Sequence, residues 1–214
     1  MSNTKNFWDS FYEDRNNQKL SDASSFAQFV CDFIKPDSQV IDLGCGNGRD
    51  SRFLSQFNDV VGIDQSDVAI EFCNSQRLLV AKKTKTLAFR SLLIEDKNIC
   101  DIFKTEVLKT EQNNVFIYAR FFLHAIGKFQ YKKFWEFAKC LNLDFSVSVG
   151  VEFRTNEDVE NFKLFPDHFR RYLDPSSVIS DAELQGFKVR TLNQGYGLAN
   201  YKTEDPHIAR IIFD

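Results

Sequence analysis

The chain has 214 residues, room for one domain with a substantial core and short for two. A hydrophobic share of 43% beside 27% charged residues is that of a soluble globular protein, and the net charge of -3 argues against general nucleic-acid binding. No uncharged apolar run is long enough to span a bilayer, and the first residues lack the apolar stretch of a signal peptide.

The first segment, to about Leu20, is polar but carries Phe7, Trp8, Phe11 and Tyr12, which predicts a short helix or arm with an aromatic stripe. Phe26, Phe29, Val30, Phe33 and Ile34 share a face at helical spacing. Ser21 is a candidate N-cap for that helix, and Lys35-Pro36-Asp37-Ser38 ends it. Gln39 to Leu43 reads as a strand, followed by a glycine-rich turn, Gly44-Cys45-Gly46-Asn47-Gly48, and a helix over 50–57. A second strand runs from Asp59 to Ile63 and ends at Asp64, with Ser66 capping a helix to about Val80. Further strands are expected over 86–94, 115–119 and 145–153, with a helix built on Phe134, Phe137, Ala138 and Leu141 between the last two. Residues 155–174 interrupt the alternation as a polar, aromatic insertion. A helix over 175–184 follows, then strands over 187–192 and 207–213 with Asn193 to Gly197 as a loop or bulge between them. Strands alternating with helices predict an α/β fold, a Rossmann-like, largely parallel sheet with helices on both faces. The chain reads as one unit, with residues 1–38 as a helical cap and 155–174 as a substrate loop.

Five widely spaced cysteines, Cys31, Cys45, Cys73, Cys100 and Cys140, show no CxxC pair. The expectation is reduced thiols in the cytoplasm, with neither a metal site nor a disulfide framework.

The chemistry gathers at the glycine turn. Glycines between a strand and a helix permit positive φ and close approach of a ligand to the backbone. Asp64, at the end of the next strand, is placed to accept both hydroxyls of a ribose, or simply to cap the following helix. An acid, Asp42, stands before the first glycine, and the GxGxxG order of pyrophosphate-binding loops is absent. An anionic Asp42 would repel a pyrophosphate and attract a cationic amino acid–sulfonium ligand.

Asp42-Leu43-Gly44-Cys45-Gly46-Asn47-Gly48 with Val61-Gly62-Ile63-Asp64-Gln65-Ser66 resembles the first two motifs of class I S-adenosylmethionine (SAM)-dependent methyltransferases. That resemblance implies a seven-stranded sheet whose last strand is antiparallel, and SAM as cofactor. It implies that Gly44, Cys45 and Gly46 line the methionine part of SAM, that Asp42 orients its amino group and Asp64 its ribose, and that Gln65 lies beside the adenine. Glu95 falls in the region where the family places an acid near the adenine amino group. Trp8 and Tyr12, one helical turn apart, either close over the cofactor or only pack on the domain. Arg49 and Asp50 are either ligand contacts or a pair at the helix start.

Ligands of open α/β sheets lie beyond the carboxyl ends of the strands. Candidates for the acceptor side are therefore Arg120 and His124 after the fourth strand, Arg154 after the fifth, His168, Arg170 and Arg171 in the insertion, and Tyr196 near the last turn. His124 is the candidate base for a hydroxyl acceptor, with a structural hydrogen bond as the alternative. The arginines suit phosphate or carboxylate oxygens. Tyr118 to His124, Glu152 to Thr155, His168 to Arg171, Tyr196 to Ala199 and Asp205 to Ile212 resemble segments of small methyltransferases from bacterial capsule and surface-polysaccharide clusters. That group includes proteins linked to O-methyl phosphoramidate decoration. The resemblance implies a small-molecule or glycan-intermediate acceptor. Methylation of another metabolite (a thiol, metalloid or carboxylate), or a non-catalytic SAM-binding regulator, are the other readings. The Asn/Asp-Pro-Pro-Tyr motif of base-N methyltransferases is absent.

Overall fold

The computed structural model describes residues 2–18, 22–80, 85–108, 112–163 and 169–214. Its strands are β1 (Gln39–Leu43), β2 (Asp59–Asp64), β3 (Leu87–Ser91), β4 (Asn114–Arg120), β5 (Ser146–Arg154), β6 (Val189–Gly195) and β7 (Ile208–Phe213). They form one sheet in the order β3-β2-β1-β4-β5-β7-β6. Neighbours from β3 through β5 pair in parallel, and β7 runs antiparallel to both β5 and β6. This is the Rossmann-like α/β architecture expected of the sequence. Chain order reverses between β1 and β4, so their carboxyl ends diverge and leave a crevice there.

The helices are α1 (Ser2–Glu13), α2 (Arg15–Gln18), α3 (Ser25–Val30), α4 (Arg49–Leu54), α5 (Asp67–Val80), α6 (Ile99–Ile102), α7 (Lys128–Leu141) and α8 (Pro175–Leu184). A π-helical turn, Phe103–Val107, continues α6. None of the described helices is long and apolar enough to cross a membrane.

Side chains alternate across a strand, and here the alternation sorts two cores. Ile41, Ile117, Val149 and Val151 face Phe134, Phe137 and Ala138 of α7 and Val178 and Ala182 of α8. On the other face Val40, Phe116, Tyr118 and Ile212 meet Phe26, Ala27 and Val30 of α3 and Leu54 of α4. Because helices cover both faces, the central strands are mostly apolar, and β1 is buried at all five positions, Gln39 and Asp42 included.

Several expectations need correction. The N-cap of α3 is Ser24, whose Oγ accepts from the Ala27 N–H at 3.0 Å; Ser21 lies outside the described residues. That helix ends at Val30, and Phe33 and Ile34 pack from the following turn. β3 is shorter than expected, and Ile94 reaches the core from the loop after it. Asn193, Gln194 and Gly195 belong to β6, paired with Arg210, Ala209 and Ile208, and the bulge lies instead between Val189 and Thr191. Cys100 and Cys140 form a disulfide between α6 and α7, where reduced thiols were expected; a separation of 40 residues hides such a pair from any motif. Cys31, Cys45 and Cys73 are free. Ser66 does cap α5, accepting from the Ala69 N–H at 3.2 Å.

Candidate active site

The turn after β1 is fastened to β2, with the Gly44 and Cys45 N–H groups donating to the Ile63 carbonyl at 2.8 and 3.0 Å. Gly44 and Gly46 have φ of 75° and 54°. A Cβ on Gly44 would come within 2.8 Å of the Phe122 ring, and one on Gly46 would strike the Tyr12 hydroxyl. Glycine is therefore required at both positions by conformation and by space.

Asp64 accepts from the Gly46 N–H and the Ser66 N–H, both at 2.9 Å. It braces the start of the next helix, one of the two roles weighed for it, and it lines the cleft above the glycine turn. Burial pushes that carboxyl up in pKa, against the backbone hydrogen bonds from Ser66, Gly46 and Gln65.

Asp42 is 2% exposed and accepts from the Ser51 Oγ at 2.5 Å. Burial, reinforced by Asp50 and Asp64 and opposed by the Ser51 hydrogen bond, pushes it up to about 8. A buried carboxyl with so little compensation favours a cationic ligand that restores its charge. Asp50 does approach Arg49, at 3.6 Å, but its stronger partners are the Ser24 N–H, the Ser24 hydroxyl and the Tyr118 hydroxyl, each at 2.8 Å. This link ties α3, α4 and β4 together at the crevice.

Trp8, Phe11 and Tyr12 of α1 line the same cleft, with the Trp8 and Tyr12 rings stacked at 6.2 Å. The helix is fastened to the start of α5: Lys5 pairs with Asp67 at 2.9 Å, and Asp9 accepts from Ser66 Oγ at 2.7 Å. The aromatic arm therefore closes over the glycine turn. Gln65 and Glu95 also line the cleft, and Glu95 accepts from Gln130 Nε2 at 3.2 Å.

The cleft holds about 1100 Å³. Pockets for one drug-sized ligand run about 300–1,000 Å³, so this cleft is at the top of that range. Its charge is divided. At the ends of β1, β2 and β3 the lining is acidic: Asp42, Asp50, Asp64 and Glu95 against Arg49. At the ends of β4, β5 and the β6–β7 loop it is basic: Arg120, Arg154, Arg170 and Lys202 against Glu204.

On this basic side the structure redistributes the expected roles. Arg120 pairs with Glu152 at 2.8 Å and lies 4.4 Å over the Phe121 ring; Glu152 is fully buried and also pairs with Arg210 at 2.8 Å. Arg154 is 5% exposed and clamped between Asp158 at 2.6 Å and Glu204 at 2.5 Å. It lines the cleft with its charge already matched. His124 lines the cleft next to it, with Nδ1 accepting from the Arg154 backbone N–H. Arg170 lines the cleft, whereas Arg171 turns away, 5.0 Å over the Tyr131 ring. Tyr196 also lies off the cleft, against His207 and bonded from Asn161. His168 lies outside the described residues. The sequence reading missed the wall formed by Asn200 to Lys202 and Glu204, because a loop fixed by a distant ion pair carries no local motif; it also missed Ser24, whose link to Asp50 and Tyr118 only the fold creates.

Residues 34–125 match the family model of a methyltransferase domain. No curated protein matches the chain. Among solved structures, a SAM-dependent methyltransferase from Anabaena variabilis is 17% identical, with a TM-score of 0.71 over 100% of this chain and 96% of that one. One from Methanosarcina mazei is 13% identical, with a TM-score of 0.66 over 86% and 95%. Magnesium protoporphyrin IX methyltransferase from Synechocystis, crystallised with bound SAH, is 15% identical, with a TM-score of 0.63 over 97% and 96%. The fold is that of the SAM-dependent methyltransferases, and the segment bearing the glycine turn and Asp64 matches the model of a methyltransferase domain. The acidic, glycine-lined half of the cleft fits SAM, a cationic amino acid joined to a ribose.

Proposed function

We propose that this protein transfers the methyl group of SAM to an oxygen of a small acceptor, either an anionic one of phosphate or phosphoramidate type or a sugar-linked intermediate of bacterial surface polysaccharide. The division of the cleft into an acidic and a basic half is the observation that carries this reading. In it, Asp42 holds the amino group of the cofactor, Asp64 the ribose, and Gly44 to Gly46 the chain between them. Trp8 and Tyr12 cover the cofactor from α1, and Gln65 and Glu95 sit at the adenine end. Arg170 and Lys202 meet the acceptor, on a wall that Arg154 holds in place through Glu204.

Bound SAM supplies a sulfonium-activated methyl group open to in-line displacement. The protein's share of the work is then to fix the acceptor oxygen against that carbon and to exclude water. The surface-polysaccharide assignment rests on the resemblance of the segments around Arg120, Arg154, Arg170 and Arg210 to methyltransferases of such clusters. In the same reading residues 1–38 form a cap, 155–174 contribute to the acceptor wall, and the reaction takes place in the cytoplasm on a small molecule.

Release of the demethylated cofactor, measured over a panel of sugar phosphates, phosphoramidates, neutral sugars, thiols, carboxylates and arsenite, tests the proposal. Turnover on a phosphate or phosphoramidate supports it. Turnover on a thiol or arsenite alone would replace it with another small-molecule methyltransferase. Tight cofactor binding without turnover on any of them would favour a regulator.

A further inference from the structure

Three neighbouring strands carry a ladder of charges beside the cleft. Arg120 on β4 stands opposite Glu152 on β5, and Glu152 stands opposite Arg210 on β7. The ladder therefore holds two guanidinium groups and one carboxylate. Glu152 is fully buried, and its Oε2 accepts from Arg210 Nε at 2.8 Å. Arg210 Nη2 in turn donates to Ser25 Oγ at 2.7 Å and to the Leu198 carbonyl at 2.6 Å. A buried carboxylate needs a counter-charge, and Arg210 supplies it. Arg120 adds a positive charge beyond that balance.

Arg120 is the member of the ladder that lines the cleft. Its Nε lies 2.8 Å from Glu152 and is sealed from solvent. Its Nη1 and Nη2, which carry the other four N–H donors of the guanidinium, make no hydrogen bond with any described residue. The side chain is 21% exposed, and with Nε sealed the outer edge is the part open to the cleft. The face of the group is fixed as well, since the Phe121 ring lies 4.4 Å from it. Phe121 has a φ of 54°, in the left-handed region, which a bulky side chain occupies only where its surroundings impose it. Here its N–H donates to the Glu152 carbonyl at 2.8 Å. With one edge on Glu152 and one face on Phe121, the outer edge is oriented before any ligand arrives.

We propose that Arg120 is the anion anchor of the acceptor site, and that the acceptor is recognised through a pair of oxygens on a carboxylate or phosphate-type group. This deepens the methyltransferase reading and rests on it, selecting the anionic acceptor over a neutral sugar. The guanidinium fork presents parallel donors that match two such oxygens, and the charge on both sides strengthens each bond. Prior orientation by Glu152 and Phe121 lowers the ordering cost of binding. The anchor serves the acceptor and not the carboxylate of the cofactor, because Glu152 draws the guanidinium towards β5. Asp42 and the glycine turn lie on the opposite, β1 side of β4.

The test is the affinity of wild type, Arg120→Gln and Arg120→Lys for inorganic phosphate and for acetate, followed by ligand-observed NMR with and without saturating demethylated cofactor. Calorimetry gives the cofactor affinity of each protein, and circular dichroism verifies its fold. Wild type should bind at least one of the two anions, and Arg120→Gln should weaken that binding about 10–150-fold with cofactor affinity unchanged. Arg120→Lys keeps the charge beside Glu152 and loses the fork, so its anion affinity should fall between the two. It also serves as the test should Arg120→Gln not fold. No binding of either anion to wild type, or anion affinity equal to wild type in a folded variant, overturns the inference. So does a loss of cofactor affinity with anion binding intact, which would assign Arg120 to the cofactor carboxylate. Absence of calorimetric heat with the demethylated cofactor in wild type would instead refute the underlying cofactor reading, with the anion measurement made without cofactor still standing.

Discussion

Replacing Asp42 with Asn should make the free protein more stable and a poorer cofactor binder at once. Burial is the main cause that lifts this carboxyl from 3.8 to about 8, so the folded state keeps a proton that the unfolded chain releases above about pH 4. A raised folded pKa favours folding fully below the unfolded value, and that contribution drains away as pH rises through the folded one. One proton corresponds to about 1.4 kcal/mol per pH unit across that window. Asn does not titrate and still offers an oxygen to the Ser51 hydroxyl. Wild type should therefore lose roughly 3 kcal/mol relative to the variant between about pH 5 and 7.5, read by urea unfolding at both pH values. The same carboxyl couples to the cofactor. A cationic amino group stabilises its ionised form, so binding releases a proton. Wild-type affinity should then rise with pH towards 8, by up to about tenfold per unit, while the variant stays weak and flat. Parallel stability profiles for the two proteins, or a variant that binds as tightly as wild type, would refute the reasoning.

Removing Arg154 as Ala leaves the buried Glu204 carboxylate without its cation and Asp158 with only Lys163, at 3.5 Å. Loss of one partner of a buried pair costs about 3–5 kcal/mol, so the thermal unfolding midpoint should drop by roughly 6–20 °C rather than the acceptor KM alone rising. Arg170→Ala, in contrast, should raise the KM of an anionic acceptor and leave binding of the demethylated cofactor unchanged by calorimetry. Cys100→Ser opens the loop closed with Cys140, and in oxidising buffer should lower stability by about 2–4 kcal/mol, a difference that vanishes in reductant.

The cofactor half of the molecule was legible in the sequence because its requirements are local. Gly44 and Gly46 are needed for backbone conformation, Asp64 follows an apolar strand directly, and Val61 to Ser66 carries strand, acid and cap in six residues. The strand order follows from the same alternation. The acceptor half was legible as a set of residue types and not as an arrangement. Arg154, Arg170 and Arg171 look alike along the chain, yet one is clamped by Glu204 from 50 residues away, one lines the cleft and one stacks on Tyr131. Pairing across such separations is decided by the fold. The Cys100–Cys140 disulfide was hidden for the same reason, since α6 and α7 meet only after the chain has passed through β4. Ser24 took the cap expected of Ser21 because the aromatic face begins at Phe26, which leaves the N-cap immediately before Ser25.

The central claim is that the acidic, glycine-lined half of the cleft holds SAM through Asp64 and Asp42. Titration calorimetry of the demethylated cofactor into wild type and Asp64→Ala, with circular dichroism to verify that the variant is folded, tests it most directly. The account predicts saturable one-to-one binding to wild type and loss of about 1.5–3 kcal/mol, on the order of 10–150-fold in Kd, in the variant. Absence of binding to wild type, or equal affinity in a folded Asp64→Ala protein, would contradict it.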